Sequence, residues 1–199
     1  MHRRALLALT ALAAPAAAQG FAFLGREAAL DLLRPGGLNL YLRHAITDRT
    51  QVDTGRRGER AAQRNLSAAG IAQARALGEA FRRHGIPVAE VLSSEVFRAR
   101  DTAELAFGAE RVRVERELIA DDYTPGDALE DARAVSRRLG QPVAGGNRVL
   151  VGHIVPLGMV LGRPLAQAEF PEGSFGVFRP HGTRWDFAGF VRAETLVRE

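Results

Sequence analysis

The stretch Leu38-Asn39-Leu40-Tyr41-Leu42-Arg43-His44 (LNLYLRH, residues 38–44) indicates a strand that ends in two polar groups. Three leucines alternate with other side chains over its first five positions, which is the period-two pattern of a β-strand. An arginine and a histidine then follow side by side. Neither group is stable in an apolar core without a partner. The stretch therefore predicts a core strand that carries Arg43 and His44 to one edge of a sheet.

Strand and helix patterns alternate along the rest of the chain. Short apolar or alternating runs predict further strands over residues 88–93, 112–114 and 148–151, and late strands over 175–178 and 185–190. Strands that alternate with helices form βαβ units, in which parallel strands are covered by helices on both faces. The predicted fold class is α/β, a three-layer α/β/α domain with a mostly parallel central sheet.

Polar residues mark where the helices between these strands begin. Ser67, Ser94 and Asp127 are each placed to cap a helix, and the third of these helices should stop at Gly140. The apolar stripe of the first helix repeats at helical spacing. It consists of Ile71, Ala74, Leu77 and Phe81.

The first 18 residues have the pattern of a secretory signal peptide. Residues 2–4 are basic, residues 5–14 are almost entirely apolar, and residues 16–18 are three alanines that suit a cleavage site. The apolar run is too short to span a bilayer as a mature helix. We expect a signal peptide over 1–18 and one domain over 19–199. The mature protein should be exported, periplasmic or extracellular, without a membrane anchor.

The composition narrows the chemistry that the chain can use. All 27 basic side chains are arginine, the formal net charge is +4, and there is no cysteine. The absence of cysteine excludes disulfides, a thiol nucleophile and cysteine-ligated zinc. The two tyrosines and one tryptophan are not interleaved with basic residues, so a nucleic-acid partner is not predicted. No histidine pair has the spacing of a metal site, and we expect no metal or other cofactor.

The predicted strand ends collect reactive side chains at one edge. In sheets of this type, ligands bind beyond the carboxyl ends of the parallel strands. Arg43 and His44 follow the first strand, Arg98 lies shortly after the second, and His153 follows the fourth. Each residue alone has an ordinary structural explanation. Four of them, brought by separate strands to one edge, indicate an anion-binding site.

With these residues the chain resembles the histidine phosphatase superfamily, which has the phosphoglycerate mutase-like fold. Four motifs carry the resemblance, in family order, between about residues 38 and 178. They are Leu42-Arg43-His44-Ala45, Arg64-Asn65-Leu66-Ser67 with Gly70 and Gln73-Ala74, Ser93-Ser94 with Arg98, Thr102 and Ala103, and Val151-Gly152-His153. Ala45 stands where the family usually has glycine.

The resemblance implies a role for each residue at the edge. His44 would be the nucleophile and form a phosphohistidine, while Arg43, Arg98 and His153 would hold the phosphoryl oxygens. Arginine forks suit the charge that spreads over these oxygens during phosphoryl transfer. The resemblance also implies that His153 is a catalytic residue.

The resemblance also implies an acidic proton donor after the third strand. Three carboxylates are available there, Glu117, Asp121 and Asp122. Asp121 is preferred because it follows an apolar segment that can return the chain to the edge. Glu117 and Asp122 stay open as alternatives.

The resulting hypothesis is an exported, metal-independent phosphatase that hydrolyses a phosphomonoester or phosphoanhydride through His44. Its partner would be a small phosphorylated substrate, whose identity the sequence does not give, and no oligomeric state is predicted. The alternatives are a non-enzymatic phosphate- or polyanion-binding protein and a phosphoryl mutase. The polar segment 47–64 is either a lid over the substrate or a surface loop, and Asn65 beside it is expected to hold that loop.

Overall fold

The computed structural model describes residues 21–198, so the predicted signal peptide over 1–18 lies outside the described residues. Within that range no helix has both the length and the apolar composition needed to cross a membrane. The strands are β1 (Asn39–Arg43), β2 (Val88–Ser93), β3 (Val112–Val114), β4 (Asn147–Gly152), β5 (Phe175–Pro180) and β6 (Trp185–Val191). The helices are α1 (Arg26–Leu33), α2 (Ala68–Arg83), α3 (Phe97–Phe107), α4 (Ala128–Gly140), α5 (Ile154–Val160) and α6 (Ala193–Val197).

The six strands form one sheet in the order β3-β2-β4-β1-β5-β6. The first four of that order are parallel, whereas β5 runs antiparallel to β1 and β6 antiparallel to β5. The prediction of a mostly parallel sheet is confirmed. The two late strands extend the sheet beyond β1, and β6 forms one edge.

Apolar side chains pack on both faces of the sheet, which confirms the three-layer architecture. On one face, Leu40 and Leu42 of β1 lie in a core with side chains of α1, α2, α3 and α6. On the other face, Tyr41 lies in a second core with side chains of α4 and α5. The leucines and Tyr41 alternate along β1 and point to opposite faces. Every residue of β1 is therefore buried, as expected for a central strand.

Two of the three predicted helix caps are confirmed. The side chain of Ser67 accepts a hydrogen bond from the N–H of Gly70 at 3.1 Å, and the side chain of Asp127 accepts one from the N–H of Leu129 at 2.8 Å. Ile71, which was assigned to the buried stripe of α2, is 36% exposed and lies at the margin of that face.

The prediction that Ser94 caps α3 is wrong. The helix begins at Phe97 and its first residues have no side-chain cap. The hydroxyl of Ser94 instead accepts a hydrogen bond from the N–H of Val96 and bonds to Nε2 of His153 at 3.0 Å. The hydroxyl of Ser94, which the local sequence predicted to cap α3, thus bonds to a residue that is distant in the chain.

The register of the parallel strands aligns their carboxyl ends. Arg43 at the end of β1 lies opposite Gly152 at the end of β4, and Ser93 at the end of β2 lies opposite Val151. The residues that follow these strands, including His44 and His153, therefore meet at one edge of the sheet.

Candidate active site

A cavity of about 310 Å³ opens at the carboxyl edge of the parallel strands. The structure brings all four residues predicted to act on phosphate into its wall, namely Arg43, His44, Arg98 and His153. All four are nearly inaccessible to solvent, with exposures of 2–4%. The remaining lining is mainly charged. It includes Arg49, Asp53, Arg64, Asp121, Asp122 and Gln167.

His44 presents one ring nitrogen that is free to react. Its Nδ1 lies 2.9 Å from the carbonyl oxygen of Ala45. A carbonyl can only accept, so Nδ1 carries the hydrogen and Nε2 keeps its lone pair. Burial, and then the positive charge of Arg98, holds the pKa of His44 well below the ordinary histidine value. The ring is therefore neutral at physiological pH, as a nucleophile requires.

The chain turns immediately after β1, which is why neighbouring side chains reach the same cavity. The N–H of His44 still bonds to Gly152, but the next N–H, that of Ala45, donates to the hydroxyl of Thr102 at 2.9 Å. No non-glycine residue between 21 and 198 has a positive φ. Alanine therefore fits this turn without the conformational freedom of glycine.

Arg43 is held by groups from the segment before β5. Its two terminal nitrogens donate to the carbonyl of Phe170 at 2.5 Å and to the side-chain oxygen of Gln167 at 2.7 Å. Burial lowers the pKa of Arg43 to about 10, although the nearby Glu172 opposes that shift. The guanidinium is still charged at neutral pH, and its direction is fixed before any ligand arrives.

Arg98 is held by a carboxylate that the sequence did not single out. Its Nη1 donates to Asp53 at 2.9 Å, and the same oxygen of Asp53 accepts from the N–H of Arg64 and from the hydroxyl of Tyr123. Burial, the largest single influence, favours a higher pKa for Asp53, but the hydrogen bonds and the charge of Arg98 together lower it. Asp53 is thus an anion that positions Arg98, and its only sequence signal is a carboxylate within an arginine-rich loop.

The backbone of His153, just after β4, is held by the side chain of Tyr41. The hydroxyl of Tyr41 accepts from its backbone N–H and donates to its backbone carbonyl, both at 3.1 Å. The ring lies 5.5 Å from that of His44 between centroids. Burial, followed by the charges of Arg98 and its neighbours, keeps the pKa of His153 well below the ordinary histidine value.

The three candidate proton donors lie in different surroundings. Asp121 and Asp122 both line the cavity, whereas Glu117 is outside the lining and pairs with Arg138 at 2.7 Å. Burial against the cavity raises the pKa of Asp122. The charge of Arg98 opposes that rise and the charge of Asp121 adds to it. The structure thus separates Glu117 from the site and leaves the two aspartates in it.

A family model, the histidine phosphatase superfamily (branch 1), matches residues 40–123. The matched range contains Arg43, His44 and Arg98, while His153 lies beyond it. Over residues 40–123 the chain is thus similar to the histidine phosphatase superfamily.

Three solved structures resemble most of the chain in fold. The protein histidine phosphatase SixA complexed with tungstate is 14% identical, with a TM-score of 0.56 over 78% of this chain and 97% of that chain. A mutant phosphoserine phosphatase from Entamoeba histolytica in complex with phosphoserine is 13% identical, with a TM-score of 0.56 over 80% and 98%. A mycobacterial glucosyl-3-phosphoglycerate phosphatase is 20% identical, with a TM-score of 0.51 over 77% and 97%. At these identities the likeness establishes the fold alone. No curated protein sequence matches the chain.

Several residues that line this cavity have buried side-chain nitrogens without a hydrogen-bond partner. Within residues 21–198, four buried side-chain nitrogens have no hydrogen-bond partner. They are Nε of Arg43, Nε of Arg64, Nε of Arg98 and Nδ1 of His153. All four belong to residues that line this one cavity. Buried polar groups are normally paired, so the arrangement is suited to an anion that supplies several acceptor oxygens.

The segment 47–64 is tied to the start of α3 by ion pairs. Arg57 pairs with Glu95 at 2.7 Å, and Arg60 makes two bonds to Asp101, at 2.5 and 2.9 Å. Asn65 bonds within the same segment and does not line the cavity. Its predicted role in holding the loop agrees with these contacts. A lid movement of the segment stays a prediction.

Proposed function

We propose that this chain is an exported, metal-independent phosphatase that hydrolyses a phosphomonoester or phosphoanhydride through a phosphohistidine at His44. The observation that carries the proposal is the state of His44, whose neutral ring has a free Nε2 in a cavity lined by Arg43 and Arg98. A protein that only bound phosphate would gain nothing from a neutral histidine beside the two arginines. The named structural neighbours are phosphatases, which agrees with the proposal.

The first step would transfer the phosphoryl group to the histidine. Nε2 of His44 attacks phosphorus while the bond between phosphorus and the leaving oxygen breaks. The leaving oxygen keeps the bonding electrons and takes a proton from an acid. Charge on the three remaining oxygens is stabilised by Arg43, Arg98 and His153, which are fixed before substrate binds.

The second step would return the enzyme to its starting state. Water attacks the phosphohistidine, the phosphorus–nitrogen bond breaks, and inorganic phosphate leaves. The carboxylate that acted as an acid takes the proton of the water. His44 is again neutral, and no metal or other cofactor enters either step.

The proton donor is proposed to be one of the two aspartates of the cavity. Asp121 was preferred from the sequence and lines the cavity. The raised pKa, however, is that of Asp122. A carboxyl whose pKa is raised holds its proton closer to neutral pH, so this shift favours Asp122 as the acid.

The export part of the proposal rests on residues 1–18 alone. Basic residues, an apolar run and three alanines precede Gln19 in the order of a cleaved signal peptide. Protein recovered from outside the cytoplasm should begin near Gln19. Recovery of uncleaved chain from the cytoplasm only would contradict export.

A panel of phosphate esters and anhydrides tests the activity. Purified protein in EDTA should release phosphate from an aryl phosphate, and His44→Ala should reduce kcat/KM by about 10³-fold or more. His181→Ala is the matched control, because this histidine is exposed and its side chain pairs with Asp186, away from the cavity lining. Full activity in His44→Ala would contradict the mechanism. Phosphate binding without turnover in the wild type would favour a binding protein.

A further inference from the structure

An apolar groove of about 400 Å³ lies beside the catalytic cavity. One wall is the outer face of α5 with Val155 and Met159, and the other includes Leu129 of α4 and Leu165. The charged residue of its lining is Arg163, whose guanidinium is paired with Glu169 at 2.7 Å. The groove therefore offers apolar surface and little else.

The groove gathers apolar side chains that water would otherwise contact. Between residues 21 and 198, six large hydrophobic side chains are exposed, and three of them line this groove. Leu129 is 46% exposed, Val155 is 44% exposed and Met159 is 37% exposed. Single exposed hydrophobics are ordinary, but a cluster that lines one concave surface indicates a binding site.

The groove and the catalytic cavity share a wall. Val155 lines both, and it lies two residues after His153. Met159 is four residues further along α5, which places its side chain next to Val155 on the same helix face. A molecule whose phosphate occupies the cavity can thus continue over Val155 onto Met159 without leaving the protein surface.

We propose that this groove binds the apolar part of the leaving group, so that the preferred substrate is a phosphate ester of a hydrophobic alcohol. The proposal rests on the proposed phosphatase function and names its substrate class. The hydroxyl groups of a sugar phosphate would find no free polar partner among Leu129, Val155 and Met159. An alkyl or aryl group would bury apolar surface on both sides, which is favourable.

A series of straight-chain alkyl phosphates measures the effect directly. Titration calorimetry of the His44→Ala variant with methyl, butyl, hexyl and octyl phosphate reports binding without turnover. Affinity should rise by up to about fourfold for each methylene that the groove buries, and level off once it is full. Affinities that agree within about twofold across the series would overturn the proposal.

Two helix positions with matched exposure locate the binding surface. Met159→Gln, introduced into the His44→Ala background, should lower the octyl-to-methyl affinity ratio by about tenfold, because it places an amide in the groove. Ile71→Gln is the control, since Ile71 is 36% exposed on α2 and does not line the groove. An unchanged ratio in Met159→Gln, or a change in its sedimentation alone, would overturn the proposal and point to a protein interface.

Turnover by the wild type separates this proposal from the proposed function. If methyl and octyl phosphate are hydrolysed with equal kcat/KM and bind with equal affinity, the proposed phosphatase function stands. The proposed role of the groove in substrate binding is then overturned. Tighter binding of octyl phosphate without any hydrolysis would support the groove and reject the phosphatase.

Discussion

The two ends of the parallel strands both carry buried polar side chains, but only the amino ends pair them fully. Asn147 at the start of β4 makes three hydrogen bonds to main-chain groups, and Asn39 at the start of β1 donates to two carbonyls. Arg148 pairs with Glu90 and also donates to Asn39. No side-chain atom of this cluster belongs to the unpartnered set found in residues 21–198.

The carboxyl ends of the same strands are different. Every buried side-chain nitrogen without a partner, in the part of the chain that the structure describes, lies there. A buried donor without an acceptor costs stability, so such groups persist where a ligand uses them. The difference indicates that the amino ends stabilise the sheet, whereas the carboxyl ends are suited to an anion, as the proposed function requires.

Removing one arginine from the carboxyl ends should give the largest effect. Arg98→Ala is expected to lower kcat/KM by about 10³-fold, because the proposed contact between its guanidinium and the phosphoryl oxygens is lost. Arg100→Ala is the matched control on the same helix, where Arg100 is exposed and pairs with Glu104. Steady-state kinetics on an aryl phosphate measures both variants. Equal losses in the two variants would contradict the assigned role of Arg98.

The two aspartates of the cavity can be separated by the leaving group. An alkoxide leaving group needs a proton, whereas an aryl oxide leaves readily without one. Replacement of the acid by asparagine should therefore cost about 10²-fold with an alkyl phosphate and only a few-fold with an aryl phosphate. The raised pKa of Asp122 leads us to expect this pattern in Asp122→Asn. If only Asp121→Asn loses more activity with the alkyl phosphate than with the aryl phosphate, Asp121 is the acid. If neither variant shows this difference, neither aspartate is the acid.

At the amino ends, a substitution should affect stability and not catalysis. Asn147→Ala removes three hydrogen bonds, two of them buried and one partly buried, and should lower the free energy of unfolding by about 3 kcal/mol. In a domain of this size that corresponds to a Tm lower by roughly 6–12 °C. Calorimetry measures the change, and kcat/KM below the transition should equal that of the wild type. A large loss of kcat/KM with unchanged Tm would contradict the assignment of stability to the amino ends of the strands and of catalysis to their carboxyl ends.

The pH dependence should be the smallest effect near neutrality. Because the pKa of His44 is lowered in the folded protein, its neutral form persists as the pH falls through 6.5. An unshifted histidine would lose about three-quarters of its neutral form by pH 6. We therefore expect kcat/KM at pH 6 to keep more than half of its value at pH 7.5. A half-maximal rate at pH 6.5 would show an unshifted nucleophile.

The lowered pKa values of His44 and His153 also determine how the free energy of unfolding changes with pH. The unfolded chain takes up protons on His44 and His153 below about pH 6.5, whereas the folded protein does not. Protonation thus favours the unfolded state, and the free energy of unfolding should fall as the pH drops below that value. Binding of phosphate should reduce this loss, because its charge offsets that of the arginines.

The sequence was sufficient for the features that depend on periodicity. The alternating leucines of β1 and the apolar run of β4 located the central strands, and the ends of these strands located His44 and His153. Parallel strands align their carboxyl ends, so chain order alone placed these residues at one edge.

The sequence was insufficient where a contact between residues far apart in the chain determines the role of a side chain. Asp53 lies 45 residues before Arg98, in a loop without periodicity, and nothing local marks it as the partner of that arginine. Ser94 has the residue type of a helix cap, but His153 binds its hydroxyl. Glu117 could not be separated from the two aspartates, because nothing local in the sequence marks Arg138 on α4, 21 residues away, as its partner.

The most direct test of the central claim is detection of a phosphorylated histidine. Purified protein is mixed with an aryl phosphate, quenched in alkali, digested and examined by mass spectrometry. We predict one phosphoryl group on the peptide that contains His44, lost on mild acid treatment and absent from His44→Ala. Turnover without any such label, or a label on another residue, would contradict the account.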